Sequence, residues 1–429
     1  MNDMRILWVC NIMLPAIAKK LGCAYSVREG WLSGILDRLT EDKAAGVELG
    51  ICFPAQGEYA LLQKKLRLGE RELSCYGFEE DLGHPERYDA SLEKRFERIL
   101  ADFHPDLVHI FGTEFPHACA CAIAWGNPAR TLVGIQGVCS AIARSYQADL
   151  PDAVFKSRTL RDVLKQDSMR RQQEKFYARA KTEERLLRLA GHVTGRTDFD
   201  RKEAAAVNPD AVYHFMNETM RKSFYEGSWQ PDGCRRHEIF VSQADYPLKG
   251  FHYVLGAMRT VLESCPDAVI TVAGNGIMGT DGIKSRLKIP AYGKYLRKLA
   301  GQNRLQEKIR MLGRLEEEEM KRAYLSSHVF VCPSAVENSP NSVAEAQLLG
   351  VPVVASRAGG IPDVVEDGVD GLLFEKGNEE ELAQKILRIF GSDEEARRLC
   401  VQEREAAAKR YDGAANFCRL LEIYEEILA

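Results

Sequence analysis

Short apolar runs rich in β-branched residues recur along the chain, and helical spacing follows most of them. Met4–Ile12, Val47–Phe53, Asp106–Phe111 and Arg130–Ile135 read as buried strands in the first half. Glu238–Ser242, Ala268–Ala273, Ile309–Leu312, Val329–Cys332 and Pro352–Ala355 do so in the second. The spacing predicts helices over Ser33–Leu39, Phe251–Ser264, Glu379–Phe390 and Asp393–Tyr411, with an amphipathic helix over Ala414–Leu428. Another spans Ala90–Asp102 and ends at His104-Pro105. Strands that alternate with helices imply parallel sheets whose faces are covered. The alternation runs twice. Between the two runs lies Tyr225–His237 (YEGSWQPDGCRRH), a polar stretch with Gly, Pro and Gly, which reads as a linker. We therefore expect a first α/β domain over 1–228, a second over 229–410 and a terminal helix over 411–429.

The 429 residues suffice for two large domains, and the net charge of −4 gives no basic footprint of a nucleic-acid binder. The 12 cysteines are scattered, with no C-x-x-C, so reduced buried thiols in a cytoplasmic protein are expected rather than a disulfide framework or a zinc site. MNDMRILWVCNI lacks the cleavage site of a signal peptide, and no run of apolar residues is long enough to span a bilayer. Ser157–Ala190 is expected to be one long helical stretch with an excess of Lys and Arg. It reads either as a solvated helix face or as a surface that adheres to an anionic membrane or a phosphorylated acceptor.

Two motifs mislead. Gly274-Asn275-Gly276-Ile277-Met278-Gly279 is a literal G-x-G-x-x-G after a strand. The following TDGIKSRLKIP does not open a helix, and no acidic residue stands about 20 positions on to take a ribose hydroxyl. A nicotinamide oxidoreductase rests on that loop alone. Asp198-x-Asp200 has the spacing of a metal–diphosphate chelator, but it lies in a charged segment and reads as a turn or helix cap.

The informative segment is Val329–Phe374. A strand, the loop Pro333–Glu337, Asn338-Ser339-Pro340 as helix start, a helix to Leu349 and a stop at Gly350 follow in order. A strand–loop–helix junction aims free backbone N–H groups at one spot, and the helix dipole adds positive potential there. Glu337 and Glu345 are placed either as a cap and a helix-face residue or as partners for two hydroxyl-bearing parts of one ligand. Lys249-Gly250 sits at another strand-to-helix turn, where an ammonium can neutralise a diphosphate.

Glu337-x7-Glu345 followed by EAQLLGVPVVASRAGGIPDVVEDGVDGLLF resembles the retaining glycosyltransferases of family 4. Lys249-Gly250, AGNG at Ala273–Gly276 and VFVCPSAVENSP fit the same pattern. The resemblance is strong over residues 238–425. It is looser in the first half, through MRILWVCNI, Gly30–Leu39 and PDLVHIFG. VTGRTDFDRKEAAAVNPDAVYHF and SQADYPLKG are similar to the enzymes of bacterial surface-polysaccharide clusters. The resemblance implies the GT-B fold: two Rossmann-like parallel-sheet α/β domains facing an interdomain cleft, with the last helix packed back on the first domain. It implies a metal-independent transferase of hexosyl type that uses a nucleotide-diphospho-sugar, a UDP-sugar first, and no cofactor. Its acceptor would be a saccharide or lipid-linked saccharide, in capsule, exopolysaccharide or lipopolysaccharide assembly. Its place would be the cytoplasm or the inner face of the plasma membrane.

By position, Lys249 would contact the donor diphosphate, Glu337 the donor sugar hydroxyls and Glu345 the ribose. The backbone of Asn341, Ser342 and Val343 would bind phosphate, and Gly274 and Gly276 would line the nucleotide. The family's Arg five residues before the Lys is Ala244 here, so Arg314 or Arg196 is expected to substitute. Near the anomeric carbon the chain offers His109, Glu114 and His117, of which His117 fits best because PHACA resembles the helix start after the family's His. In the Gly30–Leu39 segment the family's Gly-Gly pair is Gly30-Trp31. Two further alternatives are a nucleotide-sugar 2-epimerase-like isomerase and a non-catalytic nucleotide-sugar binder.

Overall fold

The computed structural model describes residues 4–23, 30–41, 46–279 and 288–429. Residues 1–3 of the opening segment, the Trp31 side chain and residues 280–287 after the glycine loop lie outside the described residues. The chain divides into two units. Unit 1 comprises Met1–Ser140, Lys175–Arg221 and Tyr411–Ala429, and unit 2 comprises Ala141–Glu174 and Lys222–Arg410. The division near 221 falls just before the expected 228, and residues 141–174 group with unit 2 rather than with the first half of the chain.

In unit 1 the strands are β1 Met4–Val9, β2 Val47–Pro54, β3 Gln63–Leu68, β4 Arg71–Phe78, β5 Leu107–Phe111, β6 Thr131–Gly134, β7 His192–Gly195 and β8 Val212–Phe215. Their order is β3-β4-β2-β1-β5-β6-β7-β8. All neighbours pair in parallel except β3 with β4, an antiparallel edge hairpin with Leu66 opposite Leu73. The sheet is therefore mixed at one edge. The hairpin QKKLRL-GE-RELSCYGF went unassigned from sequence because half of its outer strand is charged, as suits a protected edge. β7 and β8 are only four residues each, inside polar segments.

The terminal helix Gly413–Leu428 packs within unit 1, with Phe417, Leu420, Ile423 and Tyr424 buried. The Tyr424 hydroxyl accepts from Trp8 Nε1 at 2.9 Å and lies 2.8 Å from His109 Nδ1. Burial pushes the His109 pKa down to about 3, so the neutral ring shares a hydrogen bond with the phenol.

Unit 2 holds β9 Glu238–Val241, β10 Val269–Ala273, β11 Ile309–Gly313, β12 Val329–Cys332, β13 Val353–Ser356 and β14 Leu372–Phe374. The order β11-β10-β9-β12-β13-β14 is parallel throughout. β9 is the first strand of this unit, and the chain winds outward from it in both directions. The topological switch point therefore lies between β9 and β12, and ligands in such sheets bind outside the carboxyl ends of those strands.

Two local expectations change. Ser157–Ala190 is not one helix: Leu160–Lys165 ends at Gln166 with φ 52, and Met169–Leu189 follows. Pro340 is the N-cap of helix Asn341–Leu349, makes no side-chain cap bond and so stands just before the first turn rather than in it. Gly350 closes that helix in the left-handed conformation at φ 70, as its position after Leu349 predicts. Asp198 and Asp200 lie in the first helical turn after the N-cap Thr197, whose side chain accepts from the Asp200 amide. Asp200 is buried and accepts from the Arg196 amide at 2.9 Å, so this pair is a helix start.

Candidate functional site

Lys249 ends the 3-10 turn Pro247–Lys249 that follows β9, and Glu337 lies in the loop that follows β12. The switch point thus brings together two residues 88 positions apart. Lys249 Nζ donates to Glu337 Oε1 at 2.6 Å, and Ser334 Oγ donates to the same oxygen at 2.8 Å. The side chains of Lys249 and Glu337 are 22% and 18% exposed, so the pair is largely but not fully desolvated. Burial alone would lower the Lys249 pKa; the Glu337 carboxylate beside it reverses this and raises it above the ordinary lysine value. An ammonium has three N–H donors, so Lys249 can hold Glu337 and an incoming anion together.

Two glycines permit this closeness. Gly250 has φ +65, and a Cβ there would stand 1.8 Å from the Pro333 carbonyl oxygen. Gly359 has φ +58, and its Cβ would stand 2.0 Å from the Glu337 carbonyl oxygen. That carbonyl also accepts from the Gly360 amide at 2.9 Å, and the Ala335 amide donates to the Leu248 carbonyl at 2.7 Å. The loops after β9, β12 and β13 are therefore fixed to one another by backbone.

Helix Asn341–Leu349 begins beside this loop. Helix geometry leaves the Asn341 and Ser342 amides without an intrahelical acceptor, while the Val343 amide donates to Pro340 O at 3.0 Å. Glu345 is 8% exposed, one turn into the helix. Ser342 is held from behind by the Tyr324 hydroxyl, which donates to its carbonyl at 3.0 Å.

Ala244 is buried, and the residue after it carries a polar chain that sequence reasoning missed. Asp245 accepts from the Asn275 amide at 2.9 Å and from Asn275 Nδ2 at 2.8 Å. Asn275 Oδ1 in turn accepts from Arg314 Nε at 3.0 Å. Asp245, Asn275 and Arg314 follow β9, β10 and β11, so the chain runs along the carboxyl edge of half the sheet and fixes Gly274 and the loop to Gly276. Arg314 is exposed and belongs to this edge. Arg196 lies in unit 1, where it forms a buried ion pair with Glu218.

Unit 1 has its own cluster beyond β5. The Glu114 carboxylate accepts from the Thr113 amide at 2.9 Å. Thr113 Oγ1 donates to Glu183 Oε2 at 2.6 Å, and the same oxygen accepts from the Cys139 amide at 3.1 Å. Burial pushes the Glu183 pKa up to about 7, against the opposing effect of these bonds. Sequence reasoning missed Glu183 because it lay among the charges of a helix that read as solvated. His109 is a fully buried residue of β5, and its imidazole packs on Phe111 with ring centres 3.8 Å apart. His117 follows Pro116 in the first turn of helix Pro116–Trp125 and is also fully buried. Its Nδ1 lies 2.6 Å from Glu80 Oε2, and its amide donates to Glu80 Oε1 at 2.9 Å. Glu80 thus fixes the imidazole against Phe78 and Phe115.

The fold defines the class first: two parallel-sheet α/β units in the GT-B arrangement of elements. Over 99% of both chains the structure is similar to sucrose-phosphate synthase from Thermosynechococcus elongatus, with TM-score 0.70 and 14% identity. It is also similar to Anabaena Alr3699/HepE in complex with UDP and glucose, with TM-score 0.65, 16% identity, and 99% and 100% of the two chains covered. Residues 235–406 match the family described as glycosyl transferases group 1. Among curated relatives, sulfoquinovosyl transferase SQD2 of Arabidopsis thaliana is 32% identical over 39% of this chain and 29% of its own length. The D-inositol 3-phosphate glycosyltransferase of Corynebacterium urealyticum is 32% identical over 42% of this chain and 41% of its own. Spore coat protein SA of Bacillus subtilis is 25% identical over 47% and 55%. The chain thus spans between about a third and about half of the length of these relatives.

Proposed function

We propose that the chain transfers a hexosyl group, with retention and without a metal, from a nucleotide-diphospho-sugar to an acceptor hydroxyl. The observation that carries this reading is the Lys249–Glu337 pair at the carboxyl ends of β9 and β12, on either side of the switch point. The bond from the anomeric carbon to the diphosphate breaks, and a bond to the acceptor oxygen forms. The acceptor proton leaves with the nucleoside diphosphate. Negative charge grows on the leaving oxygen, where Lys249 and the Asn341 and Ser342 amides meet it. Arg314, on the Asp245–Asn275 edge, serves as the second cation in place of the Arg that Ala244 replaces. Glu337 orients Lys249 and faces the sugar hydroxyls, and Glu345 holds the ribose. The HepE neighbour is titled as a complex with UDP and glucose, which supports a UDP-sugar as the first donor to try. The acceptor is a saccharide or lipid-linked saccharide of a surface polysaccharide. Glu114, at the carboxyl end of β5, is the acceptor-side carboxylate of this scheme. His117 and His109, enclosed in unit 1, would act by holding the loop that presents it.

The test is thermal unfolding of the wild type and Glu345→Ala with UDP-, GDP-, ADP- and CMP-sugars, in buffer with chelator. A donor at ~100 times its dissociation constant adds about 2.7 kcal/mol. Stabilisation by one donor, lost in Glu345→Ala, supports the site, and no response to any donor refutes it. Product analysis then separates transfer from isomerisation: an epimerised nucleotide sugar from donor alone overturns the transferase reading.

A further inference from the structure

Helix Leu160–Lys165 in unit 2 is built inside out. Thr159 and Asp162 form a capping box, and Asp162 is only 2% exposed. Its Oδ2 accepts from the Thr159 amide at 3.0 Å and from the Ala291 amide at 2.9 Å. Arg161 lies alongside, 3.1 Å from Asp162 and 2.7 Å from Asp167. The polar side of the helix thus docks on the protein. The opposite side carries Leu160, Val163 and Leu164, which are 74%, 56% and 75% exposed. Their i, i+3, i+4 spacing puts all three on one face. A segment shaped only by its own fold would bury these residues and expose the carboxylate.

Exposed cations flank this face in the sequence. Arg158, Lys165, Arg170 and Arg171 are exposed, and Lys156–Arg171 has six basic and two acidic residues, in a chain whose overall net charge is −4. We propose that Leu160, Val163 and Leu164, with these flanking cations, form a docking site for an anionic lipid surface. The three side chains enter the boundary between headgroups and acyl chains, and the flanking cations pair with lipid phosphates. A second copy of the chain fits this face poorly. Self-pairing would oppose two clusters of like charge, and three small apolar side chains fall far short of the roughly 800 Å² per partner of a stable interface. Among the described residues no helix is long and apolar enough to cross a membrane, so the contact is peripheral. This inference is independent of the sugar-transfer reading, because it is read without turnover.

The test uses the full chain with phosphatidylcholine vesicles made with and without phosphatidylglycerol. Flotation should recover the wild type only with phosphatidylglycerol, and salt should release it. Leu160→Ser/Leu164→Ser should lower vesicle affinity about tenfold or more, with the unfolding temperature unchanged because both side chains stand in solvent. Leu164→Trp should show a blue shift of emission on anionic vesicles. The proposal is overturned by equal binding of the double serine variant, by equal binding to neutral vesicles, or by no wild-type binding at low salt. A wild-type dimer that the serine variant dissolves would also overturn it, in favour of a second copy.

Discussion

Replacing Lys249 by Ala removes one partner of a 2.6 Å ion pair whose members are about one-fifth exposed. A fully buried pair broken from one side costs about 3–5 kcal/mol. Here Glu337 keeps the Ser334 hydroxyl and some solvent, so about 1–2 kcal/mol is expected, or about 2–8 °C in unfolding temperature for a unit of this size. The catalytic loss should be larger. Removing one donor from a site of developing negative charge costs about 10²–10³ in turnover, or about 3–4 kcal/mol. The two effects can be separated because Glu337 is left as an unpaired carboxylate facing the incoming diphosphate. Lys249→Ala/Glu337→Gln removes that carboxylate's charge while keeping an oxygen acceptor for Ser334. The double variant should recover the stability and part of the donor affinity, yet remain about 10²-fold down in turnover. The assay is nucleoside diphosphate release with the donor identified by thermal shift, beside unfolding of each variant without donor. Turnover of folded Lys249→Ala within about threefold of wild type would remove the ammonium from the mechanism. A double variant no more stable than Lys249→Ala would mean that the ion pair does not govern the local stability.

Two further predictions concern unit 1. The Glu183 carboxyl has a folded pKa of about 7 against 4.5 for the free group, so its protonated form is favoured by folding. Its stabilisation is complete below the lower value and lost as pH rises through the upper one, by about 3 kcal/mol in all. Glu183→Gln lacks this loss, so the wild type should fall relative to it by that amount between pH 4.5 and the alkaline side of 7. A pH-independent difference in unfolding temperature would refute the burial of this carboxyl. Tyr424→Phe removes the hydroxyl shared by Trp8 and His109 and leaves two buried polar atoms without that partner. It should cost about 1–3 kcal/mol and be visible in melting followed by tryptophan fluorescence.

Most of the strands that sequence pattern revealed are covered: β1, β2, β5, β6, β9, β10, β12 and β13 carry mainly apolar residues, as covered parallel strands do, while β11, also revealed, is a half-exposed edge strand. Some of the missed elements answer to something other than a core, and others, such as the fully buried three-residue β14, are too short to register. β3 carries lysines because it is an edge. β7 and β8 are too short for periodicity to register. Ser157–Ala190 read as one helix because charge patterning does not record a break, and the turn at Gln166 needs a positive φ that its side chain does not advertise. The small helix before that turn also inverts the usual rule that apolar residues lie inside.

The candidate site divides along the same line. Lys249 and Glu337 could be singled out because each lies in a loop between a strand and a helix, where an anion site is expected, and Glu345, inside its helix, through the Glu337-x7-Glu345 resemblance. The setting of Arg314, named from sequence only beside Arg196 as a candidate second cation, was not derivable in that way. Asp245, Asn275 and Arg314 are separated by 30 and 39 positions, and they meet only because β9, β10 and β11 are neighbours in the sheet. Sequence showed a vacancy at Ala244; the sheet order shows what borders it. An Arg at position 244 would have come from the loop after β9 that also leads to Lys249. Arg314 reaches the edge from β11 and is steered by the amide of Asn275, which is in turn oriented by Asp245. That dependence makes Asp245 the positioning residue for Arg314. Any weakening of donor binding on losing Arg314 should therefore be largely reproduced by Asp245→Ala, although Asp245 carries the opposite charge.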